Sequence, residues 1–179
     1  MSPHQLRIHL MTGINVSKLG RDKRIEIANS PDTPVSVLEM LAGDKDEFVR
    51  HGVGNNSNTP VSMLEKLARD EDASVRQGVA DNSNTPGSLL KMLAGDEDAE
   101  VRANVVQIPN ISMSMLEMFA GDEDAEVRKR VAEHPNTPVS MLEKLARDED
   151  AYVRSNVADS PNTPGAVLEM LAGDEHTYV

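Results

Sequence analysis

The segment Asn58–Arg76 reads NTPVSMLEKLARDEDASVR, and Asn136–Arg154 reads NTPVSMLEKLARDEDAYVR. They differ only at Ser74 against Tyr152, and they start 78 residues apart (136 minus 58). Thr-Pro recurs between and around them, at Thr33-Pro34, Thr59-Pro60, Thr85-Pro86, Thr137-Pro138 and Thr163-Pro164, with Ile111-Ser112 in the one vacant register. Each step is 26 residues, so 78 is three steps, and the two segments are the second and fifth copies of one unit. A fixed period of this length is the signature of a repeat architecture.

The unit reads N-T-P-x-S-x-L-E-x-L-A-x-D-x-D-x-x-V-R-x-x-V-A. Leu38, Leu64, Leu90, Leu116, Leu142 and Leu168 are each followed three residues later by Leu or Phe and then by Ala, which makes an apolar helix face. With Thr as the N-cap and Pro at the first helical position, roughly 60–69 is predicted as a short α-helix in every copy. The pairs Val49/Val53, Val75/Val79, Val101/Val105, Val127/Val131 and Val153/Val157 mark a second helix, with the acidic run before it as a cap. Gly52 and Gly78 lower its propensity, so this second helix is expected to be shorter, α or 3₁₀. No segment alternates with period two, which predicts no sheet. One unit cannot bury its own Leu and Val faces, whereas stacked copies can; the expected fold is an all-α solenoid.

Composition narrows the function. Aromatics are only 2%, so the core must be Leu, Val, Met and Ala. A formal net charge of -12 argues against nucleic acid and anionic lipid, whose binding needs basic patches. With no Cys there is neither a disulfide nor a thiolate metal site. The first residues carry no signal-like apolar core, and no stretch reaches the ~20 apolar residues of a membrane helix. The expectation is a soluble, cytoplasmic chain with no membrane partner.

The pattern TPxxxLExLAxDxDxxVRxxVA resembles the leucine-rich repeat variant repeat, over about Arg24 to Val179. That resemblance implies a right-handed superhelix of alternating α- and 3₁₀-helices without sheet, and a role in protein interaction rather than a reaction. The D-x-x-V-R part is also similar to HEAT repeats. Some relatives carry a cysteine-rich iron–sulfur module; lacking Cys, this chain is expected to carry no such cofactor. Residues 1–23 fall outside the pattern and are read as an N-terminal cap. Residues 24–179 form the repeat domain: a half repeat, five full copies from near 32, 58, 84, 110 and 136, and a truncated copy from 162. Its last helix would show Val167, Leu168 and Leu171 with little behind them, which suggests a homodimer stacked end to end; fraying of that end, or a fragment, would account for it equally.

Comparing copies separates scaffold from surface. Arg24, Arg50, Arg76, Arg102, Arg128 and Arg154 share one register. They are either a basic stripe for phosphates or, preferably, an Arg ladder paired with nearby Asp. Asp46, Asp72, Asp98, Asp124 and Asp150 recur in the same way, and Asn58, Asn84, Asn110, Asn136 and Asn162 are read as satisfying turn amides. The acidic run 95–100 lacks the Gly and Glu of a calcium loop, the five His share no ligand spacing, and no nucleophile has a base and orienter. No catalytic, cofactor or metal residue is therefore nominated.

The candidate partner-binding residues are the variable ones. In the first helix they are Lys66/Arg69 and Lys144/Arg147 against Met40, Met92 and Met118 at the Lys position. Lys and Arg cannot be core, so that face reaches solvent, and adaptable Met surfaces suit partners; ordinary packing of duplicated copies is the competing reading. In the second helix they are Phe48, Tyr152 and Arg130, as anchors or as gap covers. The fourth copy departs most, with Val106, Ile108 and Ile111 in place of small or polar residues; repacking or an apolar patch would follow. The main expectation is a non-enzymatic scaffold for a protein or peptide partner. A nucleic-acid-binding solenoid and a self-assembling structural module are the alternatives.

Overall fold

The computed structural model describes residues 16–179. The chain falls into two compact units, Met1–Gly95 and Asp96–Val179. In the first, a 3₁₀ turn at Val16–Lys18 precedes α1 (Arg21–Asn29), α2 (Val35–Leu41), α3 (Glu47–Asn55), α4 (Val61–Leu67), α5 (Ala73–Asp81) and α6 (Gly87–Leu93). The second contains α7 (Ala99–Val106), α8 (Met113–Phe119), α9 (Ala125–Glu133), α10 (Val139–Leu145), α11 (Ala151–Asp159) and α12 (Gly165–Leu171). Among the described residues there is no strand. Even-numbered helices are the first helices of the repeat, and odd-numbered ones the second. Residues 1–15 of the expected N-terminal cap, with His4 and His9, lie outside the described residues.

Within each unit the repeats stack as in an α-solenoid. Odd helices of successive copies pack on one another, α1 on α3 and α3 on α5 in the first unit, α7 on α9 and α9 on α11 in the second. Even helices rest on the odd ones beside them. The Leu and Val repeats fill the space between: Leu38, Leu64, Leu142, Val49, Val75, Val127 and Val153 are all fully buried. Each contributes roughly 1.5–3 kcal/mol by leaving water.

Three local expectations are corrected. Thr does not cap the first helix. Thr59 lies one residue before the cap, and its hydroxyl donates back to the Val53 carbonyl, near the end of the preceding α3; Thr33, Thr85, Thr137 and Thr163 do the same. Pro60 is itself the N-cap, with extended backbone at φ -65° and ψ 150°, because its ring fixes φ while the chain is still turning.

The second correction concerns relative lengths. The first helices have 7 residues, ending where Ala68 and its equivalents close the turn, whereas α3, α5, α9 and α11 have 9 residues and are regular α. An Asp side chain caps each second helix: Asp46 accepts from the Phe48 N–H, Asp72 from Ser74, Asp124 from Glu126, and Asp150 from Tyr152 and Val153.

The third explains why glycine does not break these helices. A Cβ on Gly78 would stand 2.6 Å from the His51 carbonyl oxygen, and one on Gly52 would stand 2.9 Å from Ala28 Cβ. Their lower intrinsic propensity is outweighed by the close helix approach that glycine alone allows.

The fourth copy is repacked. Val106 is fully buried, Ile108 and Ile111 are half-buried, and Ser112 replaces the usual Pro by accepting a hydrogen bond from the Met115 N–H. α7 ends at Val106, one residue before its equivalents, and Gln107 turns in the αR conformation.

Candidate functional site

Recurring Arg, Asp and Asn residues link one copy to the next. Arg50 donates from Nε and Nη2 to both carboxylate oxygens of Asp70, twenty residues ahead, and from Nη1 to the Asp44 carbonyl. Arg24–Asp44, Arg102–Asp122, Arg128–Asp148 and Arg154–Asp174 repeat the fork. These guanidiniums are largely buried, which removes them from any phosphate stripe. The recurring acids thus have two jobs. The first of each pair takes the Arg, and the second, the Asp46 register, caps the helix.

Burial pushes the Asp70 carboxyl up, but the Arg50 guanidinium and the Asp72 N–H outweigh it and leave Asp70 below the ordinary carboxylate range. Asp122 and Asp148 show the same balance. At Asp174 the Arg154 fork and then the His176 N–H bring the pKa to about 2.

Two Asn registers bind turn to turn. The Asn58 side chain donates to the Pro31 carbonyl one copy back, as do Asn84 to Ser57, Asn136 to Pro109 and Asn162 to Pro135. The expected partner was a turn amide; the acceptor is a carbonyl of the neighbouring turn. A second register was not anticipated. Asn56 Nδ2 donates to the Ala28 and Ser30 carbonyls, and Asn82 Nδ2 to those of Gly54 and Asn56. Its signal in the sequence was the recurrence of Asn two residues before the Thr-Pro Asn, interrupted by Ile108 and His134.

The variable residues are exposed or half-buried in each unit. In the first unit Lys66 and Arg69 are exposed at the end of α4, and Arg69 Nη1 curls back to the Glu65 carbonyl. Met40 is 51% exposed and Met92 half-buried. Phe48 is exposed, with the Arg21 guanidinium 5.0 Å from its ring centre. In the second unit Lys144 and Arg147 are exposed, Arg147 Nη1 caps the Glu143 carbonyl, and Met118 is 50% exposed. Tyr152, 63% exposed, stacks on Tyr178 with ring centres 6.1 Å apart. On the last helix Leu168 is 41% exposed, while Val167 and Leu171 are buried.

Arg130 stands apart. Its Nη1 donates to Glu133 Oε2 at 3.2 Å, and its Nη2 is 3.0 Å from Glu126 Oε1. Its Nε is buried and meets no acceptor among the described residues. It lines a cavity of about 230 Å³ together with Gln107, Glu133, His134 and Pro135. The sequence pointed to Arg130 and to the departure at Val106, Ile108 and Ile111, but not to the meeting of Arg130 with Gln107. Among the described residues no group of three or more metal-binding side chains gathers, and no helix is long and apolar enough to cross a membrane.

Two-helix copies that stack within each unit and are linked through recurring polar residues define an all-α repeat scaffold. The leucine rich repeat variant model matches residues 125–150, one full period of the pattern that runs in register along the chain. A solved structure described as "a leucine-rich repeat variant with a novel repetitive protein structural motif" is similar over 94% of this chain and 82% of its own, at 28% identity and a TM-score of 0.57. No curated protein sequence matches. The chain is thus similar to leucine-rich repeat variant proteins, in one matched repeat and in its fold.

Proposed function

We propose that this chain is a non-enzymatic cytoplasmic scaffold that holds a protein or peptide partner on its variable surface. One observation carries the reading: the recurring Arg, Asp, Asn and Thr side chains are engaged in bonds within each unit, while the variable Lys66, Arg69, Lys144, Arg147, Met40, Met118, Phe48 and Tyr152 are exposed. Exposed Met and aromatic groups beside basic ones suit a peptide surface. The net charge of -12, with the ladder Arg paired internally, disfavours nucleic acid.

Affinity capture from a source-cell lysate tests this, against a control with Lys66, Arg69, Lys144 and Arg147 all changed to Glu. The expected result is a protein partner kept by the wild type and lost by the control. A partner kept by both moves the contact to the second helices. Failure of every protein to survive competition at physiological salt overturns the reading, and capture of the chain itself supports self-assembly instead.

A further inference from the structure

We propose that the cavity beside Arg130 is a subsite for a neutral carboxamide, an Asn or Gln side chain of the bound peptide. This names the ligand chemistry of one site within the scaffold reading and rests on that reading for its biological source.

The first unit shows what these turns accept. Asn56 and Asn82 each place an amide against two carbonyls of the preceding turn. In the second unit His134 holds that register, and its Nε2 reaches one carbonyl, Ile108 O, at 3.3 Å, while its Nδ1 accepts from the Asn136 N–H. The cavity opens at this weaker turn, where α7 stops early. At about 230 Å³ it has the size for one side chain, given that a water occupies ~30 Å³.

Charge and hydrogen-bonding capacity choose the ligand. Arg130 and Glu133 pair across the lining and cancel, so neither an anion nor a cation is selected by a formal charge there. An added anion would also meet a chain of net charge -12. The buried Nε–H of Arg130 needs an acceptor, and the Gln107 amide offers both a donor and an acceptor. A carboxamide supplies a carbonyl for the first and a complementary pair for the second. To reach it, the guanidinium turns off Glu126, which Lys129 continues to hold at 3.1 Å.

The test uses ¹⁵N-labelled full-length chain titrated with acetyl-glutamine-methylamide, and separately with the acetyl-glutamate and acetyl-leucine analogues. The glutamine compound is expected to shift the Gln107 side-chain amide, the Arg130 Nε–H and the Asn136 N–H, and to bind roughly tenfold more tightly than either analogue, the factor one well-made hydrogen bond supplies. Arg130→Met should abolish the Gln107 shift while the Tyr152 and Val153 amides stay in place, showing that α11 is intact. Equal binding of the leucine compound, tighter binding of the glutamate compound, shifts that survive Arg130→Met, or no shifts at all would each overturn the proposal. None of these depends on capturing a partner, so failure here leaves the scaffold reading standing, and failure of capture leaves this preference measurable.

Discussion

Helices α3 and α5 of the first unit and helices α9 and α11 of the second occupy the same place in the repeat, yet they meet their neighbours differently. Between α3 and α5 backbone approaches backbone, because position 78 is glycine and a Cβ there would collide with the His51 carbonyl; Gly52, in the same register, gives room to Ala28 and Asn29 of α1. In the second unit the equivalent positions are Asn104, Arg130 and Asn156. Arg130 there uses its length to reach Glu126 and Glu133 and to line a cavity. The lesson is that one position in the period can serve either close helix contact or side-chain chemistry. The links around it, Arg to Asp and Thr to carbonyl, are the same in both units.

If those links are equivalent, removing them should cost the same on either side of the comparison. Arg50→Ala strands Asp70, and Arg128→Ala strands Asp148; each is expected to destabilise its own unit by about 3 kcal/mol, the usual loss when one partner of a buried pair is removed. Denaturant melts with amide exchange would read it, and a large difference between the two variants would show that the scaffold is not uniform. Gly78→Ala should follow at about 2 kcal/mol, because the obstructing atom is backbone. Its counterpart Asn156→Ala should stay within about 0.5 kcal/mol and gain in helix propensity; comparable losses at both positions would erase the contrast. Asn82→Ala gives up two hydrogen bonds to carbonyls, expected to cost about 1.5 kcal/mol, whereas His134→Ala gives up one and should cost about 1 kcal/mol by the same scale.

The smallest effect is the dependence on acid. Asp70, Asp122, Asp148 and Asp174 all bind a proton less readily in the folded chain than an ordinary carboxyl does. Their contribution is complete above the unfolded value of about 4 and is lost as pH falls through the folded value, for Asp174 about 2. Amide exchange in α12, followed downward through that window, should rise in the wild type and rise less steeply in Asp174→Asn, where Asp148 still titrates.

The period, the all-helical make-up of the described residues and the Arg ladder were legible in the sequence because each is written several times, and repetition separates a structural position from chance. What was misread follows from reach. Thr59 looked like a cap for the helix after it, but its hydroxyl satisfies the helix before it. Gly52 and Gly78 looked like weak helix positions, since propensity is local and the groups that demand them, the Ala28 and Asn29 side chains and the His51 carbonyl, are 23 or more residues away in the chain. The variable surface could be nominated residue by residue. That Phe48 is covered by Arg21, or that Arg130 shares a cavity with Gln107, depends on distances no pattern encodes.

The direction of the cross-links has a consequence for how such a chain can change length. Arg24, Arg50, Arg102, Arg128 and Arg154 each reach twenty residues forward, and Asn58, Asn84, Asn136 and Asn162 each reach twenty-seven back. Excising residues 136–161 would leave Arg128 the same twenty residues from Asp174, and would leave Asn162 as far from Pro109 as Asn136 is now. The bonding pattern is commensurate with its own period, so whole copies can be gained or lost without orphaning a charge. Any insertion that is not a multiple of 26 residues would throw every bond that spans it out of phase.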